Sequence, residues 1–235
     1  MMPATLSTTL RRVVLLGAPL ELGVLNATHP GPDPANPSAT MFQSLLAQGQ
    51  LDWFITLHLV QPILLGFLGL AVWLLADGLG GPAVALSRFG VWAFLIVYSA
   101  FDAVAGIATG YFVRYGSALP IEQQVVADSI VEAFIVDPIV GTATMSILGG
   151  AASLAWLLAA LPVAVALARA GAARLPVALV VLGTLVFGAG HPAPTGPIGM
   201  ALFLAGTALL EFGGNRRVAS QRGQVKRLAS GSVAS

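Results

Sequence analysis

The sequence predicts an all-α bundle of six membrane-spanning helices, and three observations lead to this fold class. Of the 235 residues, 57% are hydrophobic and only 9% are charged, which is far from the composition of soluble domains. Six apolar segments approach the roughly 20 residues needed to cross a hydrocarbon core about 30 Å thick. Ten of the eleven Lys and Arg residues fall on one side of these segments. By the positive-inside rule, this distribution predicts that both termini are cytoplasmic.

The spans follow from the apolar segments taken in chain order. They are predicted at residues 13–27, 53–75, 89–112, 138–168, 175–190 and 196–212. The first segment also has the outline of a secretory signal, but Glu21 interrupts it and no small-x-small cleavage site precedes His29, so we interpret it as a span. Residues 214–235 are basic and rich in Gly and Ser, which is typical of a disordered cytoplasmic tail. Residues 1–213 therefore form a single membrane domain.

An additional helix is predicted on the outer surface before the fourth span. Apolar and polar residues alternate there at helical spacing. The apolar set is Ile121, Val125, Ile130 and Phe134, and the polar set is Gln124, Asp128 and Glu132. This pattern indicates an amphipathic helix at the membrane surface, with Asp128 and Glu132 on a solvated face. The fourth span is predicted to begin at Asp137-Pro138.

Composition also limits the partners and the chemistry of the protein. The chain has no Cys, which excludes disulfides, thiolate metal sites and Cys nucleophiles. The basic inner surface is expected to attract anionic lipids rather than nucleic acid. The bias towards Ala, Val, Leu and Arg over Lys is typical of a GC-rich bacterial genome, so we expect the cytoplasmic membrane of a bacterium.

A His-Pro-x-Pro pattern occurs twice, at His29 and at His191. Each copy follows a predicted span that runs outward. One interpretation is structural, because a His at a helix C-terminus interacts favourably with the helix dipole and the following Pro ends the helix. The functional interpretation is that both imidazoles line the rim of a shared outer vestibule.

Polar side chains inside the predicted spans are the strongest indication of a site, because a charge in the bilayer costs at least about 2.5 to 3.5 kcal/mol. They come from three helices and lie roughly 9 to 15 Å below the outer helix ends. The residues predicted to form a ligand- or proton-binding pocket are Glu21, His58, Gln61 and Asp102. The residues predicted at its rim are His29, His191, Arg114 and Asp137.

Three histidines and nearby carboxylates are ligand types that suit Zn, Cu or non-haem Fe. The candidate metal ligands are therefore His29, His58 and His191. No His-Glu-x-x-His motif is present, so the sequence itself does not specify a metal. A haem with two axial imidazoles would most readily use His58 and His191.

Three functions remain open at this point. The first is binding or transport of a small ligand or cation from the outer side, with His58, Glu21 and Asp102 as a titratable relay. The second is a metal- or haem-binding membrane enzyme or electron carrier. The third is an accessory or scaffold subunit whose polar residues contact a membrane-protein partner or a second copy. Binding or transport is favoured, since the chain has no recognisable nucleophile or other catalytic motif.

Overall fold

The structure, a computed structural model, describes residues 7–141 and 146–213, and helices are the only regular secondary structure in these ranges. The helices are α1 Thr8–Ala27, α2 Met41–Ala47, α3 Leu51–Leu75, α4 Pro82–Asp102, α5 Thr109–Ser117, α6 Ile121–Ile135, α7 Ile147–Arg169, α8 Arg174–Ala189 and α9 Thr195–Phe212. A π-helical turn, Ala103–Ala108, joins α4 to α5, so that Pro82–Ser117 form one rod of 36 residues. The all-α prediction is confirmed. The predicted disordered tail lies outside the described residues.

Four helical segments are long and apolar enough to cross a membrane. They are Leu51–Leu75, Pro82–Ser117, Ile147–Arg169 and Thr195–Phe212, which correspond to the second, third, fourth and sixth predicted spans. The other two predicted spans are also helical, but α1 carries Arg11, Arg12 and Glu21, and α8 has only 16 residues. The count of six spans and the side on which the termini lie stay predictions.

The fourth span begins later than predicted, at Ile147 rather than at Pro138. The reason is a turn that the Asp137 side chain stabilises. Its Oδ1 accepts hydrogen bonds from the backbone N–H groups of Ile139 and Val140, at 2.8 and 2.9 Å. These bonds supply the amides with partners outside a helix. Ser146 then caps α7, because its hydroxyl accepts from Gly149 N–H.

The surface helix α6 forms where the pattern predicted it, and two of its acidic side chains bond to α2. Glu132 accepts from the backbone N–H of Met41 at 2.7 Å, and Asp128 accepts from the Gln43 amide at 2.9 Å. The two carboxylates therefore hold α2 against α6. Apolar residues of α6 are exposed as well, with Ile121 and Val125 close to 70% accessible.

The main core lies where α4, α7, α8 and α9 meet around fully buried aromatic rings. These rings are Phe94, Trp156, Phe187 and Phe203. α4 approaches α7 closely because Gly90 has no side chain: a Cβ there would overlap the backbone of Leu158 and Ala159. Ser87 strengthens the same contact by donating to the Ala159 carbonyl at 2.6 Å. Small residues are thus what lets these helices pack closely.

A second, smaller core lies beyond the α3 N-terminus and involves α2, α3, α5 and α6. Its buried members are Phe42, Leu45, Phe54, Val113 and Val131. Phe54 also contacts the rings of His29 and His58, whereas Phe101 and Tyr98 of the main core contact the ring of His191. The three histidines therefore lie at the junction between the two cores.

Candidate metal centre

Three histidines from distant parts of the sequence meet at this junction. One side-chain nitrogen from each of His29, His58 and His191 lies within 4.8 Å of the other two. The closest pair is His29 Nε2 and His58 Nε2, at 3.3 Å, and the His29 and His191 rings are 5.3 Å apart between centroids. The set that the sequence predicted as candidate metal ligands is therefore brought together.

The two loop histidines are positioned by bonds around each His-Pro pair. After α1, the Thr28 carbonyl accepts from the Trp53 indole at 2.8 Å, which ties the segment carrying His29 to α3. After α8, the Pro192 carbonyl accepts from Thr195 Oγ1 at 3.1 Å and from the N–H of Gly196 at 3.0 Å. A Cβ at Gly196 would overlap the carbonyl of His191, so the turn requires a glycine. Each His-Pro pair thus follows the end of a helix, and the folded loop returns its His to the bundle.

The position of the His58 ring is determined by the helical segment that faces it. Its side chain is only 4% exposed. The ring packs directly on Gly106, where an added Cβ would overlap the imidazole. Gly106 lies in the π-helical turn Ala103–Ala108, which inserts extra backbone into the rod. Such turns interrupt a helix locally and are frequent at functional sites. Here the turn places a residue without a side chain against His58.

Hydrogen bonds fix the ring tautomers of two of the three histidines. His58 Nδ1 lies 2.7 Å from the Phe54 carbonyl, and His29 Nδ1 lies 2.7 Å from the Pro30 carbonyl. A carbonyl oxygen only accepts, so each Nδ1 must donate and carries the proton. In the neutral rings, both Nε2 atoms then present lone pairs, and these face each other across 3.3 Å. A cation between them relieves this repulsion.

The spacing of these nitrogens fits a metal ion. Two nitrogens bound to one tetrahedral ion at about 2.0 to 2.1 Å lie about 3.3 to 3.4 Å apart. The observed distance of 3.3 Å between His29 Nε2 and His58 Nε2 agrees with this value. Metal-bound histidines also commonly donate their second N–H to a backbone carbonyl or carboxylate, as His29 and His58 do here. Both the ligand atoms and their supporting bonds are in place.

Asp102 adds a carboxylate beside the histidines. It is the last residue of α4 before the π-helical turn and is 1% exposed. Its Oδ1 lies 3.9 Å from His58 Nε2, which is roughly 0.5 Å longer than the edge of a tetrahedral site. Its Oδ2 has no hydrogen-bond partner within the described residues. A small side-chain rotation would let Asp102 bind an ion held by His58, and it would supply negative charge to balance that ion.

Burial keeps the loop histidines neutral. It lowers the pKa of His29, and the hydrogen bond to the Pro30 carbonyl only partly opposes this effect. Burial lowers the pKa of His191 more than that of His29, and the neighbouring His29 and His58 add to this decrease. Neutral imidazole is the form that binds a metal, so neither ring needs to lose a proton near pH 7.

A cavity of about 140 Å³ adjoins the three imidazoles. Besides the three histidines, its lining is largely apolar and includes Met41, Phe54, Phe101 and Ala105. Thr109 adds a hydroxyl to the lining. An ion held by the three imidazoles would therefore adjoin a space large enough for a few water-sized molecules.

Not all of the predicted pocket residues belong to this site. Glu21 is exposed on α1 and does not line the cavity, so its place in the pocket is wrong. Arg114 donates to the Asp52 carboxylate and lies over the Tyr111 ring, and Asp137 stabilises the turn before α7. Neither lines the cavity, and the rim assignment of both is also wrong. Exposed ion pairing and turn formation account for these two charges.

Gln61 lies one helical turn below His58 on α3 and is fully buried. Neither its amide oxygen nor its amide nitrogen has a hydrogen-bond partner in the part of the chain that is described. Buried amides in proteins are nearly always bonded to protein or to ordered water. Gln61 does not line the cavity, and its place in the predicted pocket stays a prediction.

The geometry can now be compared with known proteins. No known protein family matches this chain. No curated protein and no solved structure shows significant similarity to it either. The function of the protein is therefore inferred from the site itself.

Sequence reasoning did not identify the residues that shape the site. Gly106, Phe54 and Thr109 had no individual signal, although Phe54 precedes His58 by one turn and is the natural acceptor for its Nδ1. The π-helical turn also had no visible signature, because its residues are ordinary for an apolar helix.

Proposed function

We propose that the protein is an integral membrane metalloprotein in which His29, His58 and His191 bind one divalent transition-metal ion. The observation that carries this proposal is the pair of facing Nε2 atoms, 3.3 Å apart, whose rings both donate through Nδ1. Neutral imidazoles in that arrangement repel each other, whereas a shared cation binds both. His191 supplies the third nitrogen.

The ligand set favours Zn²⁺. Three imidazoles and one carboxylate suit Zn, Cu and Fe, and the spacing of the nitrogens corresponds to tetrahedral coordination. Cu²⁺ generally binds nitrogen ligands more tightly than Zn²⁺ does, but it prefers tetragonal rather than tetrahedral geometry. The geometry does not support haem, because a porphyrin between His58 and His191 would have to displace His29, whose Nε2 is 3.3 Å from His58.

A resident ion fits the site better than a transported one. Across the described residues, His58 and Asp102 are the only buried side chains of the Asp, Glu, His, Lys and Arg types. A path for an ion through the bundle would need further ligands below Gln61. The proton-linked binding and transport function that the sequence favoured therefore has less support than a fixed metal centre. The adjoining cavity instead supports binding of a small molecule beside the ion.

The same proposal includes the topology and the location of the centre. The four long apolar helices support membrane insertion, and α1 and α8 would complete six spans. With both termini cytoplasmic, the metal centre lies near the outer face of a bacterial cytoplasmic membrane. The basic inner end of the bundle faces anionic lipid headgroups. A further membrane protein or a second copy would contact the outer surface without completing the ligand set.

The test is a Co²⁺ titration of chelator-treated protein in mild detergent. Co²⁺ reports its own coordination, because tetrahedral complexes absorb strongly in the visible range. The expected result is saturation at one equivalent, displacement of Co²⁺ by Zn²⁺, and no visible band in His58→Ala. Asp102→Asn should weaken binding about 10- to 100-fold, as changes to supporting carboxylates do.

Glu21→Gln is the matched control, since Glu21 is an exposed carboxylate on the same bundle. It should titrate like the original protein. Equal titration by the original protein, His58→Ala and Glu21→Gln would overturn the proposal. Weak octahedral spectra in all three would do so as well.

A further inference from the structure

A second site lies at the end of α3 and α4 opposite to the histidines. A groove of about 240 Å³ opens at the surface between these two helices. It is lined by Gly66, Leu70 and Trp73 of α3 and by Trp92 and Leu95 of α4. Both helices belong to the segments long and apolar enough to cross a membrane, so the groove faces lipid chains. It shares no residue with the cavity beside the histidines.

The groove exists because two glycines replace side chains on α3. A Cβ added at Gly66 would have no neighbour within 4 Å, so the space beside it is empty. At Gly69, the next glycine along, an added Cβ would press on Leu95 and Val91 at 3.3 Å. Gly69 thus sets how closely the helices approach, and Gly66 leaves an open apolar channel along them.

Arg88 lies at the polar end of this groove. Its guanidinium carbon is 4.8 Å from the centre of the Trp73 ring. Arg88 is one turn before Trp92, so the two aromatic rings and the cation share one region of the α3–α4 surface. Trp and Arg side chains are typical of the membrane interface, where apolar and polar environments meet.

Arg88 has no acidic side chain as a partner within the described residues. All ten acidic residues of the protein fall within the described residues, and none lies within 4.0 Å of the Arg88 guanidinium. By contrast, Arg11, Arg12 and Arg114 are all paired with carboxylates. Arg88 Nε is moreover buried with no hydrogen-bond partner in the described ranges. A guanidinium with unused donors at a lipid interface is suited to a phosphate.

We infer that this groove binds one anionic phospholipid, with an acyl chain beside Gly66 and its phosphate on Arg88. The charge of Arg88 accounts for the anionic headgroup, and the apolar channel that ends beside it accounts for the chain. The inference depends on membrane insertion but not on the metal centre, because the two sites are at opposite ends of α3.

The experiment is native mass spectrometry of delipidated protein in detergent with equal amounts of phosphatidylglycerol and phosphatidylcholine. One phosphatidylglycerol should be retained about fivefold over phosphatidylcholine, which is the factor expected for one basic residue at an anionic lipid. Arg88→Gln should bring this ratio close to one. Gly66→Leu should fill the channel and reduce retention of both lipids.

Two matched variants separate a specific site from general attraction. Arg169→Gln removes an exposed cation at the same end of the bundle, and Gly17→Leu fills open space beside a glycine on α1. Both should leave the fivefold preference unchanged. The inference fails if Arg169→Gln lowers the ratio as much as Arg88→Gln, or if Gly66→Leu retains phosphatidylglycerol like the original protein. Thermal unfolding of each variant shows that the fold is intact.

Discussion

Gly106→Ala is the substitution that most directly probes how the π-helical turn supports His58. The new Cβ would lie 2.5 Å from His58 Nε2 and would overlap Cγ and Cδ2 of the same ring. The ring cannot easily give way, because its side chain is 4% exposed and its Nδ1 is bonded to the Phe54 carbonyl. The expected cost is about 1 to 3 kcal/mol for overpacking. Loss of the hydrogen bond adds about 1 kcal/mol.

The assay is reversible unfolding in mixed micelles with increasing fractions of a denaturing detergent, performed on chelator-treated protein. Gly150→Ala is the matched control, since an added Cβ there meets nothing within 4 Å. That control should gain about 0.5 to 1 kcal/mol from helix propensity. Gly106→Ala should instead lose about 2 to 4 kcal/mol, given the two costs together. If the two variants differ by less than about 0.5 kcal/mol, the reasoning about His58 is refuted.

Three further outcomes follow from the packing and the charges. Gly90→Ala should destabilise the α4–α7 contact by about 1 to 3 kcal/mol in the same unfolding assay, because its Cβ would meet backbone atoms that cannot rotate away. Glu21→Gln should leave the Zn²⁺ affinity measured by calorimetry unchanged, since that carboxylate is exposed. A large decrease in affinity would show that Glu21 contributes to the metal site. The backbone N–H bonds from Val140 and Ile139 lower the pKa of Asp137, so its stabilising effect is present above the usual Asp pKa and is lost as pH falls through the lowered value. Asp137→Ala should therefore flatten the acid side of a plot of melting temperature against pH; an unchanged slope there would contradict this.

The sequence was sufficient to predict that the histidines lie at similar positions along the bundle axis, but not which way every side chain points around its helix. Depth along a helix follows from a rise of about 1.5 Å per residue, and this placed His58 and Asp102 at overlapping depths. The two His-Pro pairs marked helix ends on the same side. The three candidate ligands therefore meet as predicted.

The errors concern orientation around the helix axis. Glu21 lies on α1, but its side chain is exposed. Arg114 and Asp137 have local partners, Asp52 and the turn amides, that hydropathy does not reveal. On α6, Glu132 and Asp128 bond to α2, where the backbone N–H of Met41 and the Gln43 amide are their donors. Which face of a helix is covered depends on neighbours that a single sequence does not specify.

The central claim is that the three imidazoles bind one transition-metal ion, and metal analysis of the purified protein tests it most directly. The protein should be prepared without chelator or a His tag, and its metal content measured by mass spectrometry beside the triple variant His29→Ala, His58→Ala, His191→Ala. We expect one equivalent of Zn²⁺, or of Cu²⁺, in the original protein and none in the variant. A protein free of metal that also fails to take up added Zn²⁺ would contradict the claim, as would equal metal content in the original protein and the triple variant.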